Sequence, residues 1–504
     1  MRKKQIIPLV LLHTGVAFAA PTSPNIVIFF VDDLGWADLG YQNSLFHTPN
    51  IDKLKQDGAY FSRAYVSTAT SSPSRASLLT GKEALRVGLV RHIYNNPNRD
   101  EFQVLDSDPA RMKSRAWLPL EETTYAERLK EYGYSTCFIG KWHLGHEPFF
   151  PIHQGFDTMF GVTEYGQPND YYTPFFKTNY PTFDNVPDGS YLTDILTDNA
   201  EEFIRGYDKD NPFLLNLWYY TVHAPHRGRK DLVLKYKNKG LKEDMAEYAS
   251  MVEAMDESVG RIRLAIEEKG LSDNTLFVFI SDQGGAFSNA PLRGGKKGGD
   301  TLAEGGSRVP MIIYYPGLKA MGTTITEPVQ TIDIYPTLIE LVSGKKCVEK
   351  QLNGVSLKTL LDGGTLKSRS LFLYRSYEDQ YSAIIKGDWK LIRYRSGKVQ
   401  LYNLKQDVGE TNDLSLLEQT RAKAMEKELT EWEMKATPDC QKDSILPKFV
   451  TSRNGANLVF RQKGSKNGVL PPNHCTDFSA SPHYCFRFTA MKKNIHRSVF
   501  VKKC

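Results

Sequence analysis

Cysteine is scarce in this 504-residue chain: six in all, with Cys440, Cys475, Cys485 and Cys504 inside the last 65 residues. That excludes a fold held together mainly by disulfides. It confines stapling to the tail, where two bridges are expected in one of three pairings. Cys137 sits in the apolar stretch from Tyr134 to Ile139 and is expected to be a buried free thiol. Long hydrophobic runs are missing too. The run from Ile6 to Leu12 is too short to cross a bilayer, which argues against stable membrane insertion. No internal repeat or low-complexity block is present, so a solenoid is excluded. Nor does either sign of charge dominate, since the net charge is only +6. From residue 441 onward there are 12 Lys/Arg against 2 Asp/Glu, and the preceding 440 residues hold 52 against 56. A nucleic-acid partner is not expected, and the basic tail reads as a solvated surface ahead of a polyanion site.

What is present describes an ordinary globular protein, 40% hydrophobic and 24% charged, with enough chain for a large core. Met1-Arg2-Lys3-Lys4, then Ile6 to Leu12, then Ala17-Phe18-Ala19 give the basic, apolar and small-x-small order of a secretory leader. Residues 1–19 are read as that leader, and an exported protein, periplasmic or secreted, is expected.

Four apolar runs stop abruptly at polar residues. Asn25 to Val31 ends in Asp32-Asp33, and Ser135 to Ile139 ends in Gly140-Lys141-Trp142-His143. Phe213 to Tyr219 leads to His223-Ala224-Pro225-His226, and Thr275 to Ile280 ends in Ser281-Asp282-Gln283. Such runs suit central strands covered on both faces. Helices are expected from Thr124 to Lys130, from Asp244 to Lys269 and from about Thr331. The alternation predicts an α/β fold, a large mainly parallel or mixed sheet sandwiched by helices, with its site at the strands' C-terminal ends. Residues 146–205 are rich in Phe, Tyr, Pro and Gly and read as loops, either a substrate rim or core beneath long loops. From about 368 the texture changes to short alternating strands and a helix near 415–434, a smaller C-terminal subdomain of antiparallel sheet plus helix. The expected divisions are 20–367, 368–436 and a basic, Cys-containing tail at 437–504.

Adjacent carboxylates at a buried strand end repel one another unless a cation holds them. Asp32, Asp33 and Asp282 with the amide oxygen of Gln283 make a hard, all-oxygen set. That set suits Ca²⁺ or Mg²⁺ and is poor for zinc. Ser71-Ser72-Pro73-Ser74-Arg75, running on to Leu79-Thr80-Gly81, is by itself a helix start, with Ser71 or Ser72 as cap and Pro73 in the first turn.

Taken with four further strings, that stretch resembles the signature of the type I sulfatases, within the alkaline phosphatase superfamily. The strings are Gly140-Lys141-Trp142-His143-Leu144-Gly145, the His-x-Pro at His223, Leu292-Arg293-Gly294 before Lys296, and Glu304-Gly305-Gly306 before Arg308-Val309-Pro310. The resemblance covers about 25–435. It implies that Ser71 is oxidised to formylglycine (3-oxoalanine), whose hydrated aldehyde attacks sulfur to give a covalent sulfo-enzyme. Loss of a proton from its second hydroxyl then expels sulfate. It implies one Ca²⁺ held by Asp32, Asp33, Ser71, Asp282 and Gln283, where the family usually has Asn at the last position. Arg75 and Lys141 would orient the aldehyde, and His143 would take the proton. His223 and Lys296 would contact the sulfate, with Lys296 preferred to Lys297 and His223 the acid for the leaving alcohol.

Ser71 stands where cysteine is commoner. That implies the serine type found in bacteria, matured by a radical enzyme that needs no oxygen, or else a deliberate Cys→Ser change that traps substrate. Export, the aromatic rim and the long stretch from Lys296 to Glu304 favour a sulfated carbohydrate, such as carrageenan or a glycosaminoglycan. Two alternatives stand beside this reading: a phosphatase or phosphonate hydrolase of the same superfamily, and a non-catalytic sulfated-glycan binding protein with Ser71 unmodified.

Overall fold

The computed structural model describes residues 23–94, 96–104, 111–376 and 378–437. The leader and the tail, with its four cysteines, lie outside the described residues. Of the two remaining cysteines, Cys137 is a buried free thiol, as expected, and Cys347 is free and partly buried.

Eight strands form the large sheet: β1 (Asn25–Val31), β2 (Ala59–Phe61), β3 (Ser135–Gly140), β4 (Thr158–Phe160), β5 (Phe213–Trp218), β6 (Thr275–Ser281), β7 (Met311–Tyr314) and β8 (Thr324–Ile325). Their order across the sheet is β8-β2-β7-β6-β1-β5-β3-β4. β6, β1, β5, β3 and β4 run parallel to one another, while β7 is antiparallel to β6 and β2. The sheet is therefore mixed.

β1 shows why it sits at the centre. Ile26, Ile28 and Phe30 face one apolar core, and Val27, Phe29 and Val31 face the other, all fully buried. An uninterrupted apolar run satisfies both faces at once, and each such side chain contributes roughly 1.5–3 kcal/mol when buried. Helices cover both sides, the longest being Glu243–Glu268. The helix Tyr125–Glu131 opens with a capping box, Thr124 accepting from the Glu127 N–H and Glu127 accepting from the Thr124 N–H.

Two helices depart from the sequence reading. Leu192–Gly206 is a helix where loops were expected, and its Leu192, Leu196, Ala200 and Ile204 form one buried stripe. Lys230–Asn238 is also helical. The short strand β7 follows directly on Arg308-Val309-Pro310 and was not anticipated.

The C-terminal sheet is antiparallel throughout: β9 (Ser370–Tyr374), β10 (Gln380–Lys386), β11 (Trp389–Tyr394) and β12 (Val399–Asn403), in that order. The helix Gln419–Ala436 packs on it, with Trp432 stacked on Phe372 at 4.9 Å. Among the described residues no helix is long and apolar enough to cross a membrane.

Candidate active site

Strand register brings the site together. Val31 pairs with Ser281, and Trp218 pairs with both Phe30 and Gly140, so the parallel strands β6, β1, β5 and β3 end on one edge of the sheet. The chain continues from those ends as Asp282, Asp32 and Lys141, with His223 on the loop after β5. Backbone bonds extend the pairing past the strands: Asp282 N–H donates to Val31, Asp32 N–H to Thr221 and Lys141 N–H to Trp218. Gly140 makes the exit of β3 possible. Its φ is 105°, and a Cβ there would lie 2.0 Å from the Trp218 carbonyl oxygen.

Ser71 is the first residue of the helix Ser71–Thr80, and Thr70 holds the N-cap position. The expectation that Ser71 or Ser72 caps this helix is corrected, because both hydroxyls are engaged elsewhere. Ser72 Oγ accepts from the Ile93 N–H at 3.0 Å, and Ser71 Oγ donates to Asp32 Oδ1 at 3.2 Å. The helix N-terminus also lends positive potential to whatever binds beside Ser71.

Around Ser71 the charges interlock. Lys141 Nζ lies 2.5 Å from Asp32 Oδ2 and 3.4 Å from Ser71 Oγ. Arg75 spans Asp32 and Asp282 at 3.2 Å each and donates to the Lys141 carbonyl at 2.9 Å. Its guanidinium lies over Phe30 and Trp218, which explains how a wholly buried arginine is packed. Asp33, at φ 62°, takes Lys296 Nζ on Oδ2 and the Gln283 amide on Oδ1 at 2.7 Å. Gln283 also reaches Ser71 Oγ at 3.3 Å, and His223 Nε2 lies 3.6 Å from Asp33. Lys296, not Lys297, is the lysine paired with Asp33.

His143 shares the pocket but bonds differently. Its Nε2 lies 2.9 Å from the Ile93 carbonyl, and Nδ1 is buried without a hydrogen-bond partner. A carbonyl can only accept, so Nε2 carries the hydrogen and Nδ1 keeps a free lone pair. Burial and the Lys141 charge hold the ring's pKa well below the ordinary value, so it is neutral. By the same logic His223 Nδ1 donates to the Ala224 carbonyl at 2.6 Å, leaving Nε2 as the atom free to exchange a proton. His226 is placed apart, its ring against Tyr248 and Phe287.

Asp32, Asp33 and Asp282 each bring a carboxylate oxygen within 4.8 Å of the other two, and all three are buried. Burial alone would raise the Asp32 pKa, but Lys141, His223 and Arg75 outweigh it and hold Asp32 well below the usual range. Asp282 is pushed up to about 8 by burial and by the Asp32 charge. A carboxyl so reluctant to ionise marks a cluster short of positive charge, and the donors are hard oxygens. The residues therefore fit Ca²⁺ or Mg²⁺, with Gln283 adding an amide oxygen if its side chain is turned over.

Of three further neighbours of this pocket, Gly166 falls in the loops read as rim or core, while His92 and Arg375 escaped the sequence reading. Gly166 presses on His143, since a Cβ there would lie 2.3 Å from the imidazole. His92 lies among Arg375, Arg91, Lys296 and Lys141, and burial together with those cations lowers its pKa to about 3. Arg375, from the end of β9, donates to the Ala69 carbonyl. None belongs to a recognisable string. The available signal was only that β9 is another apolar run ending in polar residues.

Comparison with known proteins agrees with this architecture. Residues 24–344 match the Sulfatase family profile, and residues 301–437 match that of the N-sulphoglucosamine sulphohydrolase C-terminal region. N-acetylgalactosamine-6-sulfatase of Rattus norvegicus is 31% identical over 417 residues, 77% of this chain and 75% of that protein. Arylsulfatase A of Homo sapiens is 32% identical over 407 residues, 75% of each chain. The crystal structure of Ps i-CgsB in complex with k-i-k-neocarrahexaose superposes with a TM-score of 0.72 at 31% identity, covering 83% of this chain and 94% of that one. The chain belongs to the sulfatase family, the enzymes that hydrolyse sulfuric esters.

Proposed function

We propose that this sulfatase removes sulfate from a sulfated carbohydrate, using a formylglycine made from Ser71 and one Ca²⁺ at Asp32, Asp33, Asp282 and Gln283. The observation that carries the proposal is the meeting, at one sheet edge, of Ser71 with three buried carboxylates, Arg75 and Lys141. Relatives support the substrate class, one named for N-acetylgalactosamine-6-sulfate and one crystallised with neocarrahexaose. Export to the periplasm or medium, with a dedicated maturing enzyme acting on Ser71, belongs to the same reading.

A hydrated aldehyde at residue 71 would supply two hydroxyls on one carbon, one to attack sulfur and one whose deprotonation releases sulfate. The chain's own groups serve that chemistry. Arg75 keeps a permanent positive charge beside residue 71 and fixes Asp32 and Asp282. Lys141 stands between Asp32 and residue 71 and favours an ionised oxygen there. Lys296 and His223 flank Asp33 with side chains 19% and 13% exposed, so they can meet a sulfate arriving from solvent. His223, protonated on both nitrogens once an anionic sulfate sits beside it, would hand the Nε2 proton to the leaving alcohol, and His143 Nδ1 would accept one as sulfate departs.

Peptide mass spectrometry of the protein from its native host tests the proposal. The Ser71 peptide should be about two daltons lighter than its sequence mass. Purified enzyme should also release sulfate from sulfated galactan or glycosaminoglycan oligosaccharides. An unmodified Ser71 would leave a glycan-binding protein, and hydrolysis of phosphate in preference to sulfate esters would favour the phosphatase alternative. Among the described residues, a cluster for a second metal ion is absent.

A further inference from the structure

Ser71 and Ser72 are consecutive, yet their hydroxyls serve different partners. Ser71 Oγ turns to Asp32, while Ser72 Oγ accepts the Ile93 N–H at 3.0 Å. Ile93 presents its own carbonyl to His143 Nε2 at 2.9 Å. Ser72, Ile93 and His143 are thus joined in series, and the Ser72 end of the series is wholly buried.

The segment around Ile93 has little rigidity of its own. Residues 91–94 form neither helix nor strand, so the direction of the Ile93 carbonyl depends on what holds the backbone beside it. Upstream, the N–H groups of Val90 and Arg91 both donate to Ser114 Oγ, at 3.1 and 3.3 Å. At Ile93 the hold is the Ser72 hydroxyl. It meets a buried backbone donor that a neighbouring strand would otherwise have to satisfy.

The imidazole of His143 is also fixed from two other directions. His143 has φ 54°, in the left-handed region that residues other than glycine seldom enter, which commits its backbone to one placement of the ring. Gly166 covers one ring face: a Cβ there would lie 2.3 Å from Cε1, 2.6 Å from Nε2 and 2.7 Å from Nδ1. Neither feature decides which nitrogen carries the hydrogen. That choice falls to the Ile93 carbonyl, which accepts and cannot donate. A neutral imidazole has two tautomers, and the partner of one nitrogen sets the state of the other. Held as Nε2–H, the ring keeps a lone pair on Nδ1. Released, it can pass to the Nδ1–H tautomer, which has none there.

We propose that Ser72 is a positioning residue for the sulfatase reaction: through Ile93 it keeps His143 in the Nε2–H tautomer, with Nδ1 ready to accept a proton. The inference rests on the acceptor role proposed for His143 and adds the device that sustains it. Residue 71 and the Ser72 hydroxyl leave adjacent positions of one helix start, so a small shift of that turn carries the reacting residue and the orienting hydroxyl together. Ser72 is shut away from solvent, so it acts on proton acceptance and not on substrate capture.

The test uses full-length protein and its Ser72→Ala and Ser72→Thr variants, with equal conversion of residue 71 established by peptide mass spectrometry. In protein labelled with ¹⁵N-histidine, the His143 signals are those lost in His143→Gln. The unaltered protein should show one pyrrole-like and one pyridine-like nitrogen at that ring. In Ser72→Ala the two shifts should move toward each other as tautomers mix. Ser72→Thr, which keeps a hydroxyl on the same carbon, should restore them. These shifts need no turnover, and unchanged shifts in Ser72→Ala would overturn the proposal. The kinetic readout uses para-nitrophenyl sulfate, whose good leaving group makes the final proton acceptance weigh more in kcat. Ser72→Ala should lower kcat by roughly tenfold and KM alongside it, because a slower final step raises the occupied fraction of the enzyme. Ser72→Thr should recover most of the loss. A fall in kcat/KM as large as that in kcat would indicate general damage to the pocket and count against the device. Full turnover by His143→Gln would instead remove the acceptor role itself, and with it the catalytic meaning of Ser72, whatever the nitrogen shifts show.

Discussion

Arg375, at the end of the first strand of the C-terminal sheet, donates a buried hydrogen bond to the carbonyl of Ala69, two residues before Ser71. Its neighbours make the link broader: Tyr374 N–H donates to Ser67 at 3.1 Å, and Ser376 Oγ to Val90 at 3.2 Å. Gln380 accepts from the Leu302 N–H at 2.7 Å, on the loop that follows Lys296. One hairpin of the small sheet thus steadies three segments around the Ser71 pocket. Arg375→Ala should orphan the Ala69 carbonyl and cost about 1–3 kcal/mol of stability. A shift of the residue-71 loop should lower kcat by roughly 10–100-fold with little change in KM. Arg375→Lys, which keeps one donor, should recover part of both. Equal kcat values for Arg375→Ala and the unaltered enzyme would remove the positioning role.

The acidic cluster makes a prediction about metal. A cation bound only by the folded state stabilises it, by about 2.7 kcal/mol at a concentration 100 times its Kd. Chelation should therefore lower the melting temperature, and added Ca²⁺ should restore it. Asp282→Asn should abolish the Ca²⁺-dependent shift while leaving a folded protein, because Arg75 still pairs with Asp32. A melting temperature insensitive to both chelator and calcium would argue against the metal site.

The centre of this site was legible in the sequence because each of its parts ends an apolar run. Asp32, Lys141 and Asp282 follow strands buried on both faces, and only parallel neighbours place such ends together. Residues that act across long sequence separations were not legible. Arg375 and Ala69 lie 306 positions apart, and neither periodicity nor composition connects them. The loop carrying His92 and Tyr94 has no repeating pattern, since its shape is set by partners such as Ser72 and Ser114. The helix Leu192–Gly206 is a different kind of miss. Its buried Leu192, Leu196, Ala200 and Ile204 recur every four residues, a helical signal obscured by the aromatic-rich loops before it.

Asp38 offers a pH-dependent readout away from the proposed metal ligands. Its Oδ2 accepts from the Gly35 N–H and from the Tyr248 hydroxyl, while Oδ1 is buried without a partner. Burial outweighs those two bonds and pushes its pKa up from 3.8 to about 6. A carboxyl with a raised folded-state pKa binds its proton more tightly when folded. Its favourable contribution is complete below the unfolded pKa and is lost as pH rises through the folded one. Asp38→Asn resembles the protonated acid at every pH. Its stability should match the unaltered protein's near pH 4 and exceed it by up to about 3 kcal/mol at pH 7. Denaturant unfolding at several pH values measures this difference, and parallel profiles would show that Asp38 titrates normally.

Lys141 and Lys296 both pair with an aspartate, yet they should fail differently when replaced by Met. Lys141 is wholly buried, its ammonium held between Asp32 and Ser71. Removing it leaves a buried carboxylate short of a partner, which typically costs about 3–5 kcal/mol. Arg75 still reaches Asp32, so the lower end of that range is expected. Lys296 is partly exposed, and without it Asp33 keeps the Gln283 amide, so Lys296→Met should cost under about 2 kcal/mol. If the proposed roles hold, the two should converge for turnover, each losing on the order of 10²–10³ in kcat/KM for the positive charge it would supply where negative charge develops. Lys296→Met should therefore be a well-folded, nearly inactive protein, and Lys141→Met an inactive and unstable one. Chemical denaturation alongside desulfation rates distinguishes them. Full activity in a folded Lys296→Met protein would exclude Lys296 from sulfate binding.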